Sequence, residues 1–215
     1  MQRLRISFSR AEEVKYISHL DLMRLWERAL HRAAIPMAYS QGFSPHPKIS
    51  MAAPLPIGVT SEGEVMDILL QRRVSPYFFI KVVSEQLPSS IGIMGVEQVG
   101  LTAPSLQSQV REAEYRVEVD VDGKVEEVEA ALRSFLAKEH IPWQHQRDTG
   151  VRRYDIRPLV HRLWLIGCQG SRYTLGMRLR TDSTATGRPE QVVAALGFPR
   201  RPISIHRTKL MFAGR

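Results

Sequence analysis

Two runs of strict alternation, Leu4-Ile6-Phe8 and Tyr115-Val117-Val119-Val121, constrain the fold of this chain more than any other feature. Apolar residues at every second position mark a strand with one buried face. The same succession of patterns follows each run. After the first, Ser18 offers a helix N-cap with Asp21 three residues on. Leu22, Leu25, Trp26, Ala29, Leu30 and Ala33 then form one helical stripe, which Pro36 ends. Strands are expected around 48–56 and 64–71. Ser75-Pro76 opens a second helix carrying Phe79, Val82, Val83 and Leu87, and a strand near 92–99 closes the unit.

After the second run, Val125, Val128, Leu132, Phe135 and Leu136 mark a helix, and strands are expected over about 151–166 and 172–181. Gly187-Arg188-Pro189 starts another helix, and Ile203, Ile205 and Leu210 supply a last strand. Residues 101–111 lose the periodicity and read as a linker. The order β-α-β-β-α-β thus occurs twice, by pattern and without detectable identity between the halves. The simplest fold with that order is α+β, two tandem ferredoxin-like domains over residues 1–102 and 112–215. Right-handed crossovers place both helices of a unit on one sheet face and leave the other for water, a neighbour or a ligand. On that face the second unit would show Arg116, Glu118, Asp120, Thr174, Gly176 and Arg178, with no aromatic stacking platform. Leu163-Trp164-Leu165-Ile166 reads as core strand. Basic loops or a cleft are therefore the better places for RNA.

The charge distribution favours such a partner. The net charge of +8 is uneven: residues 1–104 hold 11 Lys/Arg against 9 Asp/Glu, 105–146 hold 5 against 9, and 147–215 hold 14 against 4. Thirteen of the last fourteen cations are Arg, the side chain suited to bidentate phosphate contact and to stacking on bases. Arg153, Asp155 and Arg157 alternate along one expected strand and would share a face. Either Asp155 joins a surface ion-pair ladder, or it holds two guanidinium groups toward a phosphate backbone. Arg188 at a helix start, with Arg207 and Lys209 on the last strand, would extend the same patch.

A second polar concentration lies near the beginning, in Tyr16-Ile17-Ser18-His19-Leu20-Asp21 and Ser40-Gln41-Gly42-Phe43-Ser44-Pro45-His46-Pro47-Lys48. Two prolines hold His46 and Lys48 in extended backbone. His19 falls in a first helical turn, whose unpaired N–H groups attract anions, so a phosphate between it and Lys48 is chemically sensible. The plainer alternative is that Ser18 and Asp21 only cap the helix while His46 bonds to nearby backbone. Arg24 and Gln41 belong to the same candidate binding block.

Other chemistries are poorly served. The single cysteine, Cys168, makes no internal disulfide, as expected of a cytoplasmic protein, and one thiolate cannot hold an iron–sulfur cluster. His140, His145 and His161 have no zinc-like spacing with it, and no phosphate-binding glycine loop or nucleophile elbow occurs. No cofactor or metal is expected. No apolar run approaches the roughly 18 residues that span a bilayer, so no membrane association is expected.

The run Tyr16-Ile-Ser-His-Leu-Asp-Leu-Met-Arg24, continued by Tyr39-Ser-Gln-Gly-Phe-Ser-Pro-His-Pro-Lys-Ile-Ser50, closely resembles the radical SAM-linked protein family. Arg153-Tyr-Asp-Ile-Arg-Pro158 and Gly187-Arg-Pro189 look like its later motifs. That resemblance implies an accessory role beside a separate radical SAM protein and supplies no reaction. Joined to the basic second half, it gives the leading expectation: an RNA-binding accessory protein, not itself catalytic, acting on rRNA or tRNA. A likeness of topology alone to the RAMP group of endoribonucleases gives an alternative, with His19, His46, Lys48 and Tyr39 as candidate catalytic groups. A third expectation is a docking module for the radical SAM partner, centred on Phe43 and His46.

Overall fold

The structure, a computed structural model, describes residues 1–147 and 150–214, and the side chains of all of these but 145–147. The chain divides into two compact units, Met1–Val110 and Arg111–Arg215. Among the described residues it is a mixed α/β structure with five α-helices.

In the first unit β1 (Gln2–Arg10) is flanked by β3 (Thr60–Leu70) and β4 (Ile93–Val99), both antiparallel to it. β2 is only Ile49–Met51, far shorter than the expected 48–56, and pairs antiparallel with β3. The order is β4-β1-β3-β2. α1 (His19–Arg32) and α2 (Pro76–Ser84) bury Leu22, Trp26, Leu30, Phe79 and Val83 with Leu4, Ile6 and Phe8 of β1. Phe8 and Trp26 meet edge to face, ring centroids 5.1 Å apart, the arrangement favoured by the ring quadrupoles. Both helices start where the sequence signals. Ser18 Oγ accepts from Asp21 N–H, and Ser75 Oγ accepts from Phe78 N–H with Pro76 in the first turn.

The segment expected to be a linker is more ordered than its pattern implies. Ser105 caps a short helix, α3 (Leu106–Gln109), Leu106 is buried, and the next strand already begins at Val110. Arg3 reaches this segment, its guanidinium donating to the carbonyls of Ala103 and Pro104.

In the second unit β5 (Val110–Asp120) pairs antiparallel with β9 (Arg172–Arg180), which pairs antiparallel with β8 (Val160–Gln169). β10 (Ser204–Phe212) lies on the other side of β5. α4 (Val125–Ala137) and α5 (Pro189–Ala195) supply Val128, Leu132, Phe135, Val192 and Val193 to a core shared with Tyr115, Val117, Tyr173, Leu175 and Met177. The single strand expected over 151–166 does not form. A 3-10 turn, Arg157–Leu159, interrupts it at Pro158, and the first part turns back on β6 (Pro142–Arg147) as β7 (Gly150–Asp155). Proline lacks the N–H that a continuous ladder needs, which is why the strand stops there.

Candidate nucleic-acid interface

β6 and β7 form a two-stranded ribbon of their own, in register from Pro142↔Asp155 to Arg147↔Gly150. Cross-strand pairing sets Trp143 beside Tyr154 on one face and Gln144 beside Arg153 on the other. Arg152 then falls on the Tyr154 face, its guanidinium 5.5 Å from that ring's centroid. Tyr154 Oη donates to Gln191 Oε1 on α5 at 2.5 Å, tying the ribbon to the unit.

Asp155 fixes the base of the ribbon. Its Oδ1 accepts from the N–H of Ile141 at 2.8 Å and of Arg157 at 2.9 Å, and its Oδ2 meets His140 Nδ1 at 2.8 Å. Burial pulls this carboxyl upward, but the Ile141 N–H, His140 and the Arg157 N–H together hold it below the ordinary carboxylate range. His140 is exposed and is this carboxylate's partner.

Arg157 does not join Arg153 on a common face. It lies in the 3-10 turn, and its guanidinium donates to the carbonyls of Leu136, Lys138 and Val160. Two of those are the unpaired carbonyls at the end of α4, so Arg157 serves as a helix C-cap. Both readings of Asp155 as a carboxylate bracketed by two arginines therefore fail. The backbone break at Pro158 is the reason.

Two adjoining hollows remain. The wider, about 620 Å³, is lined by His140, Pro142, Trp143, Gln144, Arg153, Tyr154 and Asp155. The narrower, about 310 Å³, includes Arg152, Arg188, Ser183, Thr184, Thr186 and Gln191, and shares Tyr154 and Asp155 with the first. Asp182 in its wall is already satisfied. Its carboxylate accepts from Arg180 Nε at 2.6 Å, from the Thr184 hydroxyl at 2.6 Å and from the N–H of Thr184 and Ala185. Burial pulls Asp182 upward too, and those donors overcome it and hold the carboxyl far below its usual value. The structure thus gathers Arg153, Asp155 and Arg188 of the expected patch and adds Arg152, which the even spacing of that reading skipped.

Other cations of the second unit point elsewhere. Arg178 pairs with Glu114 at 2.6 Å, and Arg200 pairs with Asp120. Arg207 is 1% exposed and cannot meet a phosphate at the surface, while Lys209 is exposed on β10 away from the walls of both hollows. The charge excess of this half is accordingly spent in several places.

The face of the second sheet turned from its core also differs from expectation. Trp164 pairs with Gly176 across β8 and β9 and stands on that face, with the Arg162 guanidinium 5.0 Å over its ring. A bulge in β8 shifts its alternation, so an apolar run read as core divides between the two faces, and Ile166 is 52% exposed.

The first-unit block is likewise split. Arg10 donates to the carbonyls of Val14, Lys15 and Ile17, holding the approach to α1 at the end of β1 that pairs with Ser61. Lys48 instead bonds through its backbone to Ala38 and Leu69. Ser61 and Leu69 lie eight residue steps apart on β3, roughly 27 Å at about 3.4 Å per step. The segments that carry His19 and Lys48 are thus anchored toward opposite ends of β3. Asp21, capped by Ser18 and ion-paired with Arg24 at 3.5 Å, already supplies negative charge to the start of α1. His46 stays with Lys48 at the foot of an exposed loop, where its N–H bonds to Ser40 Oγ and Tyr39 bridges to Pro47. Gln41 and Phe43 are exposed in that loop.

Residues 3–189 match the family described as an uncharacterized protein conserved in bacteria (DUF2344), and the chain belongs to that family. The description carries neither a reaction nor a partner. No curated protein matches the sequence. Among solved structures, the fold is similar to a chain of a Cbf5-Nop10-Gar1 complex, with a TM-score of 0.54 at 9% identity over 96% of this chain and 48% of that one. It is also similar to a chain of the archaeal box H/ACA sRNP Nop10-Cbf5 complex (TM-score 0.52, 11% identity, 97% and 48% covered). A third is from an H/ACA RNP bound to a substrate RNA containing 2'-deoxyuridine (TM-score 0.50, 10% identity, 96% and 47% covered). This chain spans about half the length of those it matches.

Proposed function

We propose that this protein is an RNA-binding accessory factor that works beside a separate radical SAM enzyme in the modification or processing of rRNA or tRNA. The observation that carries the RNA part is the convergence of Arg152 and Arg188 on one hollow, next to the Arg153 cleft. Guanidinium groups lining adjoining concavities supply the phosphate contacts that dominate RNA affinity. Support of a coarser kind comes from the similar folds, which are found in H/ACA RNP structures, one of them bound to a substrate RNA. Each unit reads as a ferredoxin-like β-α-β-β-α-β fold, the strand order 4-1-3-2 recurring once β6 and β7 are taken as an insertion. Contact with the radical SAM partner is assigned to the 40–46 loop, where Phe43 is wholly exposed.

A filter-binding titration of the chain against rRNA and tRNA over a range of salt tests this reading. Three phosphate contacts give a log–log slope of roughly −2, at about −0.7 per contact on single-stranded RNA. Lack of affinity, or affinity indifferent to salt, overturns it.

A further inference from the structure

The two hollows on the ribbon differ in character, and the difference has a chemical meaning. The wider is walled by Trp143, Tyr154, Pro142 and His140, largely ring faces and edges. Aromatic walls of this kind stack with any nucleobase. The narrower presents Arg152, Arg188 and the hydroxyls of Ser183 and Thr186. Gln191 lines it as well. The side chain is 7% exposed, and its Oε1 is occupied by the Tyr154 hydroxyl, which leaves the amide N–H groups as donors. The two acids nearby do not oppose an anion strongly. Asp182 is neutralised by Arg180, and Asp155 has its oxygens taken by His140 and two backbone N–H groups.

Resting on the RNA-binding reading, we infer that the paired hollows form a site for one unpaired RNA nucleotide, its base against Trp143 and its phosphate between Arg152 and Arg188. Tyr154 and Asp155 belong to both hollows, so base and phosphate subsites adjoin as they do in a nucleotide. A duplex cannot use the site, because a paired base is stacked within its helix and cannot enter a cleft. The volume of about 620 Å³ falls in the usual range for small-ligand clefts.

The test uses the full chain with a short single-stranded RNA and the same RNA annealed to its complement, followed by fluorescence anisotropy at fixed salt. The single strand is expected to bind about tenfold tighter than the duplex. Arg152→Ala with Arg188→Ala is expected to weaken single-strand binding about tenfold, and both residues are exposed, so the fold is retained. Trp143→Ala is expected to weaken single-strand binding about tenfold and to remove most of the tryptophan quench on binding, and undiminished affinity in it overturns the base subsite. Wild-type affinity in the double arginine variant overturns this site and leaves RNA binding by the chain in place. Equal affinity for duplex and single strand overturns the unpaired nucleotide. No RNA affinity in the wild-type chain overturns both readings.

Discussion

The indole of Trp164 rests on the bare backbone of Gly176, so closely that a Cβ there would lie 2.0 Å from Cε2 of the ring. The contact is between neighbouring strands and is fixed by their register. Alanine at position 176 has to push the ring aside together with the Arg162 guanidinium over it. Gly176→Ala is expected to destabilise the chain by about 1–3 kcal/mol, measured as a lower urea midpoint at unchanged slope. Combining it with Trp164→Ala should recover part of that loss, since the two changes share one contact. Strict additivity would mean that the ring is not what resists the methyl group.

Asp67 is 5% exposed on β3 and serves two arginines of β1, Arg3 at 2.5 Å and Arg5 at 2.9 Å. Removing the carboxylate leaves Arg5, itself 7% exposed, charged and without that partner. Asp67→Ala is expected to cost about 3–5 kcal/mol in equilibrium unfolding. An Asp67→Ala loss no larger than that of an exposed surface pair, under about 1 kcal/mol, would show that the site is hydrated.

Asp155 and Asp182 both ionise more readily in the folded chain than in the unfolded one. The stability they supply is complete above the ordinary carboxylate value of 3.8 and is lost as pH falls below it toward their folded values. Thermal midpoints should therefore hold steady from neutral pH to about 5 and fall below about 4. Asp182→Asn should lower the midpoint at neutral pH and flatten the acid decline. An acid decline as steep as wild type in that variant would assign it to other carboxylates.

Arg153 and Arg157, four residues apart, should behave in opposite ways. Arg157→Ala removes donors to the carbonyls of Leu136, Lys138 and Val160, and is expected to lower stability by about 1–3 kcal/mol while leaving the salt slope of RNA binding unchanged. Arg153→Ala should leave stability within about 0.5 kcal/mol and reduce the salt slope by about 0.7. The same salt-slope change in both would place Arg157 against the RNA after all.

The regular elements were written plainly in the chain. Ser18, Ser75 and Pro76 mark helix starts by local chemistry, and the alternation around Leu4 and Tyr115 marks strands, because caps and periodicity act over a few residues. The site was only partly legible. Arg153-Tyr154-Asp155 stood out, but the placement of Arg157 involves carbonyls offered by α4, a contact across 21 residues that no spacing rule encodes. Trp164 escaped for a similar reason, since a bulge moves residues between faces without altering composition. The reading that pairs His19 with Lys48 takes no account of the length of β3 between their anchoring points, which proximity in sequence does not encode. Arg207 is a surface cation by type and a core residue by position.

Among the described residues the β6–β7 ribbon pairs as a sheet with no other strand, and it lies in the chain between α4 and β8. Its exposed side chains can thus be exchanged without shifting the register of any strand in the larger sheet. Evolution, or an engineer, has in this hairpin a segment whose surface can be rewritten while the scaffold beneath it stays the same.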